Sequence, residues 1–418
     1  MSIAGEWSPE NPILAYLQTL AATKKSLFYG QPIVAYASIS HPDSASLLRL
    51  AADIGPHIAI LNIPADVIDD WSSDTIEQLQ YLARKHAFLL WEGSKILNPL
   101  MNFMARADAP LEAKQVLIDV IKKSYTSGPL RTATWSNLAI SWAPATPMDQ
   151  QENDILIPTL RLAAREAVAT TTKTIQTEIF AETDNHLSTE EVEMIMPLGK
   201  TSNGWQEFSP NNTGSALRKS STISVTTESV TSDAHLPADD GVPTPPLLAR
   251  SIALSLPSSA ETPFTSEFRQ STIAAACANS DFVAGFLTND PYFVEHRGND
   301  IFELATLDGD GNAQQDVDCA KLAALPYVKE HRRSLAVFSV VPPTLGDDFE
   351  FDPTFKLDGD APSDCHSETP RSVQYLHNIV GRAIALREKN GRERGVTNSG
   401  KDTPTGPNIM HIPLIVVT

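Results

Sequence analysis

The stretch LLRLAADIGPHIAILNIPADVIDDWSSDTIEQLQYLARKHAFLLWEGSKILNPL, residues 47–100, reads as helix, strand, helix, strand. In DSASLLRLAADIG (43–55) and SDTIEQLQYLARKH (73–86), apolar residues recur at helical spacing behind an Asp or Ser suited to cap the first turn. HIAILNI (57–63) and AFLLWEG (87–93) are short apolar runs that read as buried strands. Outward from this stretch the same kind of run recurs as IVAYASI (33–39), ATWSNLAI (133–140), SIALSLP (251–257), FVAGFLT (282–288), SLAVFSVV (334–341) and HNIVGRAI (377–384). Strands alternating with helices eight times predict an α/β fold of the TIM (β/α)8 barrel type, with a doubly wound sheet as the alternative.

One interruption divides the pattern. Residues 184–247, between the fourth and fifth strands, are rich in Ser, Thr, Pro and Asp, a composition that buries too little apolar surface to offset ordering entropy. A disordered insertion is expected there, separating a first half-barrel (1–183) from a second (248–395), with 396–418 as a carboxyl-terminal tail. The end of that tail, HIPLIVVT (411–418), is too short to span a bilayer and is expected to dock on the body as a strand or tail.

Composition narrows the function classes. The chain has 418 residues, 42% of them hydrophobic, enough for a sizeable core. Its formal net charge of -19, without a long Lys/Arg run, argues against a nucleic-acid partner. Cys277, Cys319 and Cys365 lack the paired spacing of a disulfide framework or structural zinc site. No signal-like start and no long apolar stretch is present, so a cytoplasmic protein without a membrane partner is expected. DGDGNAQQDVD (308–318) resembles the start of a calcium loop but lacks the closing glutamate, and reads as a solvated loop. Hydrolase, zinc-protease and nucleotide-loop motifs are missing, and neither a metal nor a cofactor is expected.

Residues 47–100 resemble, without gaps, two consecutive β/α units of the orotidine 5′-monophosphate decarboxylase family, where a strand ending L-K-T-H-x-D is followed by K-x-x-F-L-x-F-E-D-R-K-x-x-D-I-G. Weaker likenesses are YASIS (36–40), SDFVAGFLT (280–288), VVPPTLG (340–346) and IVGRA (379–383), the last matching a strand that ends in Gly-Arg-Gly. RKSSTISVTTESV (218–230) resembles an insertion of filamentous-fungal members. The resemblance implies a barrel fold, a homodimer with shared sites, and a fungal source.

The same resemblance implies that the charged centre is mostly gone. The family's first lysine falls on Asn62 and its aspartates on Gly93 and Asn98, while Lys95 alone keeps its charge. A ribose-binding aspartate falls on Ser40, flanking His and Thr positions on Pro64 and Asn102, and a phosphate-loop glycine on Pro343. Arg382 matches the phosphate-gripping arginine and Ser259 the serine that reads the pyrimidine edge. Preorganised charge carries most of such catalysis, and each lost member costs about 3 kcal/mol or more, so orotidylate decarboxylation is not expected.

Charged groups have given way to Asn, Gly, Pro and Ser, next to Trp91, Leu97, Leu100 and Met101. A pocket of that kind suits a neutral, largely apolar small molecule. The leading expectation is an enzyme of fungal secondary metabolism, a cyclase promoting an intramolecular cycloaddition of Diels-Alder type. Lys95, Asn62 and Asn98 are its candidate catalytic groups, polarising a carbonyl, with Ser40, Trp91, Trp142, Ser259 and Arg382 binding the substrate. Trp135 and Trp142 are candidate walls, although buried tryptophans more often serve packing. The alternative is a non-catalytic relative that binds a nucleotide or protein partner, anchored by Arg382.

Overall fold

The computed structural model describes residues 11–38, 40–94, 111–143, 148–172, 241–257, 266–293, 334–357, 369–393 and 408–417. Eight strands close into a barrel in sequence order: β1 Val34–Ala37, β2 Ile60–Ile63, β3 Leu89–Glu92, β4 Leu138–Trp142, β5 Ser251–Leu256, β6 Val283–Thr288, β7 Ser334–Val340 and β8 Asn408–Val417. Every neighbouring pair is parallel, and β8 closes the ring by pairing Leu414 with Val34 on β1. This is the TIM barrel expected from the alternating runs.

The helices are α1 Pro12–Thr23, α2 Ser44–Ile54, α3 Ser73–His86, α4 Leu111–Thr126, the short α5 Thr132–Trp135, α6 Leu156–Thr172, α7 Ser266–Ala278 and α8 Arg371–Glu393. Two starts show the expected kind of cap: Asp43 accepts from Ser46 N at 2.7 Å before α2, and Ser72, one residue ahead of the expected segment, accepts from Thr75 N at 3.2 Å before α3. Strand alternation then sorts the core. Leu61, Ile63 and Leu90 point outward into a layer with Leu47, Leu50, Leu79 and Ala83 of α2 and α3. Val34, Ile60, Leu89, Trp91, Ile140, Phe338 and Leu414 point inward and fill the barrel.

The inner cluster also includes Ile13, Leu14, Leu17 and Leu20, which places α1 across the strand starts. Both its ends are tied down. Asn11 Oδ1 caps α1 by accepting from Ile13 N at 3.0 Å, and also accepts from Ser251 Oγ at 3.2 Å. Lys24, just past the other end, donates to the carbonyls of Gly55 at 2.9 Å, Ile58 at 2.7 Å, His86 at 2.6 Å and Ala87 at 3.1 Å. Burial pushes the Lys24 ammonium down to about 7.

Three local expectations are corrected. HNIVGRAI (377–384) lies within α8, and the eighth strand is Asn408–Val417, so the HIPLIVVT end closes the barrel. Val373, Leu376, Ile379, Val380 and Ala383 are buried along one side of α8, the helical periodicity that an eight-residue window conceals. ATWSNLAI is split: α5 ends at Trp135, whose indole donates to Leu130 O at 2.9 Å and whose ring lies 5.1 Å from Trp71. Trp135 therefore belongs to the outer layer.

Residues 241–247, expected in the insertion, pack on the body: Val242 lies against the inner cluster, Pro243 O accepts from Tyr16 Oη at 3.3 Å, and Pro246 O from Asn137 Nδ2 at 3.1 Å. Three prolines in seven residues, Pro243, Pro245 and Pro246, lower the entropy lost on ordering. One compact unit comprises Met1–Thr171 and Ala234–Thr418, and a second comprises Thr172–Asp233. The rest of the expected insertion, and the 308–318 loop, lie outside the described residues. No described helix is long and apolar enough to cross a membrane.

Candidate functional site

Active sites of (β/α)8 barrels sit at the carboxyl ends of the strands, so the inward-facing residues nearest those ends define the candidate site. Alternation places Tyr36 on β1, Asn62 on β2, Trp91 on β3, Trp142 on β4, Ser255 on β5, Leu287 on β6, Val340 on β7 and Val416 on β8 there. None of these side chains carries a charge at neutral pH. Tyr36 pairs with Asn62, and Asn62 with Trp91, across adjacent ladders.

Asn62 and Gly93 fit as a pair. A Cβ built on Gly93 would collide with Asn62 Oδ1 and stand 3.1 Å from its Cγ. An aspartate at position 93 is therefore incompatible with Asn62 as it lies, and the glycine makes room for the amide. Asn62 is 2% exposed and its Oδ1 has no hydrogen-bond partner, nor has Trp91 Nε1. The Trp91 ring meets Phe338 edge-on at 4.7 Å inside the barrel. Trp91 is thus a wall of the inner core beneath the mouth, on the strand where the run AFLLWEG placed it.

A carboxylate the sequence reading passed over lies beside this wall. Glu92 closes β3 and is fully buried; its Oε1 accepts from Ser94 N at 2.6 Å, while Oε2 has no partner. Burial pushes Glu92 up to about 7 against the pull of the Ser94 hydrogen bonds, with a smaller push from Asp66. Ser94 Oγ in turn accepts from Asp66 N at 3.2 Å, tying the ends of β2 and β3 together. Burial, then the charges of Asp66 and Glu92, raise Tyr36 above the ordinary phenol range. The signal for Glu92 was present as a charged residue ending an apolar run.

The other expected site residues sit on separate elements or lie outside the described residues. Ser40 is exposed in the turn after β1, its N donating to Ser38 Oγ at 3.2 Å. Trp142 is half-buried at the end of β4, its ring 6.5 Å from Phe268. Arg382 is not at a strand end: it is exposed on α8 and donates to Leu345 O at 2.7 Å, in the turn Pro343–Gly346 after β7. Lys95, Asn98 and Ser259 lie outside the described residues. Among the described residues, no group of three or more His, Cys, Asp or Glu is arranged to hold a metal.

Fold and mouth together define a (β/α)8 barrel with a neutral inner rim. No model of a known protein family matches the chain. Among curated proteins, the chain is similar to the orotidine 5′-phosphate decarboxylase of Kluyveromyces marxianus, 32% identical over 129 residues, 31% of this chain and 39% of that protein. The Emericella nidulans enzyme of the same name is 29% identical over 128 residues, 31% of this chain and 38% of that protein. The uridine 5′-monophosphate synthase of Bos taurus is 24% identical over 155 residues, 37% of this chain and 28% of that protein. The chain is thus a (β/α)8 barrel that over about a third of its length is similar to fungal orotidine 5′-phosphate decarboxylases. It spans less than two-fifths of the length of each of these relatives.

Proposed function

We propose that this barrel acts on a largely apolar small molecule of fungal secondary metabolism, as a cyclase promoting an intramolecular cycloaddition of Diels-Alder type, and does not decarboxylate orotidylate. The observation that carries the reading is the Asn62–Gly93 fit: a Cβ on residue 93 would collide with the Asn62 amide. Two positions that hold a lysine and an aspartate in the family are here shaped around each other as neutral groups. Several charged members are needed to stabilise a developing carbanion, and the described mouth offers none on its inner wall.

What such a mouth does offer is enclosure and hydrogen bonding. Holding a flexible substrate in its reactive conformer lowers the entropic part of a barrier by several kcal/mol. A donor or acceptor fixed in an apolar wall, such as Trp91 or Asn62, polarises a carbonyl more effectively than water does. Lys95 and Asn98 are proposed to join them from the loop that follows β3, with Ser40, Trp142 and Ser259 on the rim and a homodimer as the working assembly. The non-catalytic nucleotide-binding reading leaned on Arg382, which as a helix residue donating to Leu345 O lends it no support.

The test is incubation of the purified protein with organic extracts of a producer strain in which its gene is deleted, followed by mass spectrometry. Conversion of one feature into an isomer of equal mass is expected, since cycloaddition rearranges bonds without changing composition. No conversion, together with uridine monophosphate formed from orotidylate, would remove the proposal.

A further inference from the structure

The inner wall of the barrel holds two polar atoms that the protein leaves unbonded. Asn62 Oδ1 and Trp91 Nε1 are buried without a hydrogen-bond partner, on side chains 2% and 0% exposed. These residues face each other across the β2–β3 ladder, and both project inward: Trp91 packs with the inner cluster, and Asn62 follows Ile60 of that cluster at strand spacing. One atom accepts and the other donates. Burying each unbonded carries the desolvation cost of a polar group with nothing to offset it, and native proteins leave few such groups without a reason.

The surroundings restrict what can satisfy them. Phe338 lies 4.7 Å from the Trp91 ring and presents an apolar surface. Toward β1, Tyr36 is raised by burial and then by the negative charges of Asp66 and Glu92, so the potential on this side opposes an anion. A carboxylate or phosphate would also meet the lone pairs of Asn62 Oδ1. A neutral group is favoured, and it needs a donor for Asn62 beside an acceptor for Trp91.

We propose that Asn62 Oδ1 and Trp91 Nε1 form a two-point subsite for a neutral ligand carrying a donor next to an acceptor, as a lactam, a cis-amide or an enolised dicarbonyl does. The inference rests on the reading of the mouth as a small-molecule site and names its substrate class. In this role the indole N–H polarises the ligand carbonyl, and the asparagine fixes its orientation.

The test needs no turnover. Protein labelled with nitrogen-15 at its tryptophans is titrated with δ-valerolactam and, in parallel, with N-methyl-δ-valerolactam; Trp91→Phe assigns the indole resonance. The Trp91 N–H signal is expected to move downfield and saturate with the lactam, and the N-methyl compound to bind about tenfold more weakly, the worth of one hydrogen bond. Asn62→Leu, which keeps volume and removes the acceptor, is expected to erase that preference while the other indole signals stay in place.

An unmoved Trp91 signal, equal affinity for the two compounds, or a preference that survives Asn62→Leu overturns the subsite. Lactam binding without conversion of any metabolite keeps the subsite and removes the cyclase reading. Conversion with an unmoved signal does the reverse.

Discussion

Gly93 matters for the space it leaves, because a methyl group there meets the Asn62 amide oxygen. Gly93→Ala is expected to destabilise the fold by roughly 1–3 kcal/mol through overpacking. In Asn62→Ala the obstructing amide is gone, so adding Gly93→Ala is expected to cost less than about 0.5 kcal/mol more. Urea unfolding of the four proteins measures the coupling; additive effects would show that the pair does not share space. Half of this pair was legible in the sequence, since aligning residues 47–100 with the family put neutral residues at both positions. The fit between them was not, because it joins side chains on adjacent strands whose register is a product of folding. Trp91 shows the same limit: a Trp near a strand end reads equally as rim or core, and here its ring packs on Phe338 while its Nε1 is left unbonded.

At the level of elements, the strands that hold the candidate site were readable because each is a short apolar run, and β1, β2, β3, β5, β6 and β7 fall inside the expected runs. The eighth was misplaced because HNIVGRAI has the composition of a strand, while its helical period emerges only once Val373 and Leu376 are included. The corrected assignment has measurable consequences. Removing residues 408–418 deletes β8 and leaves the paired edges of β1 and β7 open, so the truncated chain is expected not to fold, as judged by loss of cooperative thermal unfolding. Arg382→Ala, on an exposed helix face with one bond to Leu345 O, is expected to change stability by less than about 1 kcal/mol. Lys24→Met belongs with the large effects. Four carbonyls that receive the ammonium would lose their donor, with an expected loss of roughly 2–4 kcal/mol.

For the molecule as a whole, two buried groups at opposite ends of the barrel act on stability in separate pH windows. Glu92, at the end of β3, is raised from 4.5 to about 7 in the folded chain. Between those values the folded state holds a proton that the unfolded state has released, so the Glu92 contribution to stability falls as pH rises through the window. At about 1.4 kcal/mol per unit, the loss amounts to roughly 3–4 kcal/mol at most. Asp154, raised to about 6 chiefly by burial, adds a fall in the same direction between 3.8 and 6. Lys24, beneath α1, is lowered from 10.5 to about 7 by burial, so across that interval the unfolded state binds the extra proton and the Lys24 contribution rises with pH. The two terms together predict a stability minimum near neutrality, flanked by gains on both sides. Denaturant unfolding from pH 4.5 to 10 measures it. Glu92→Gln is expected to flatten the acid-side slope, leaving the Asp154 share, without touching the alkaline side. Lys24→Met is expected to flatten the alkaline side alone. If both slopes survive in both variants, Glu92 and Lys24 are not their source.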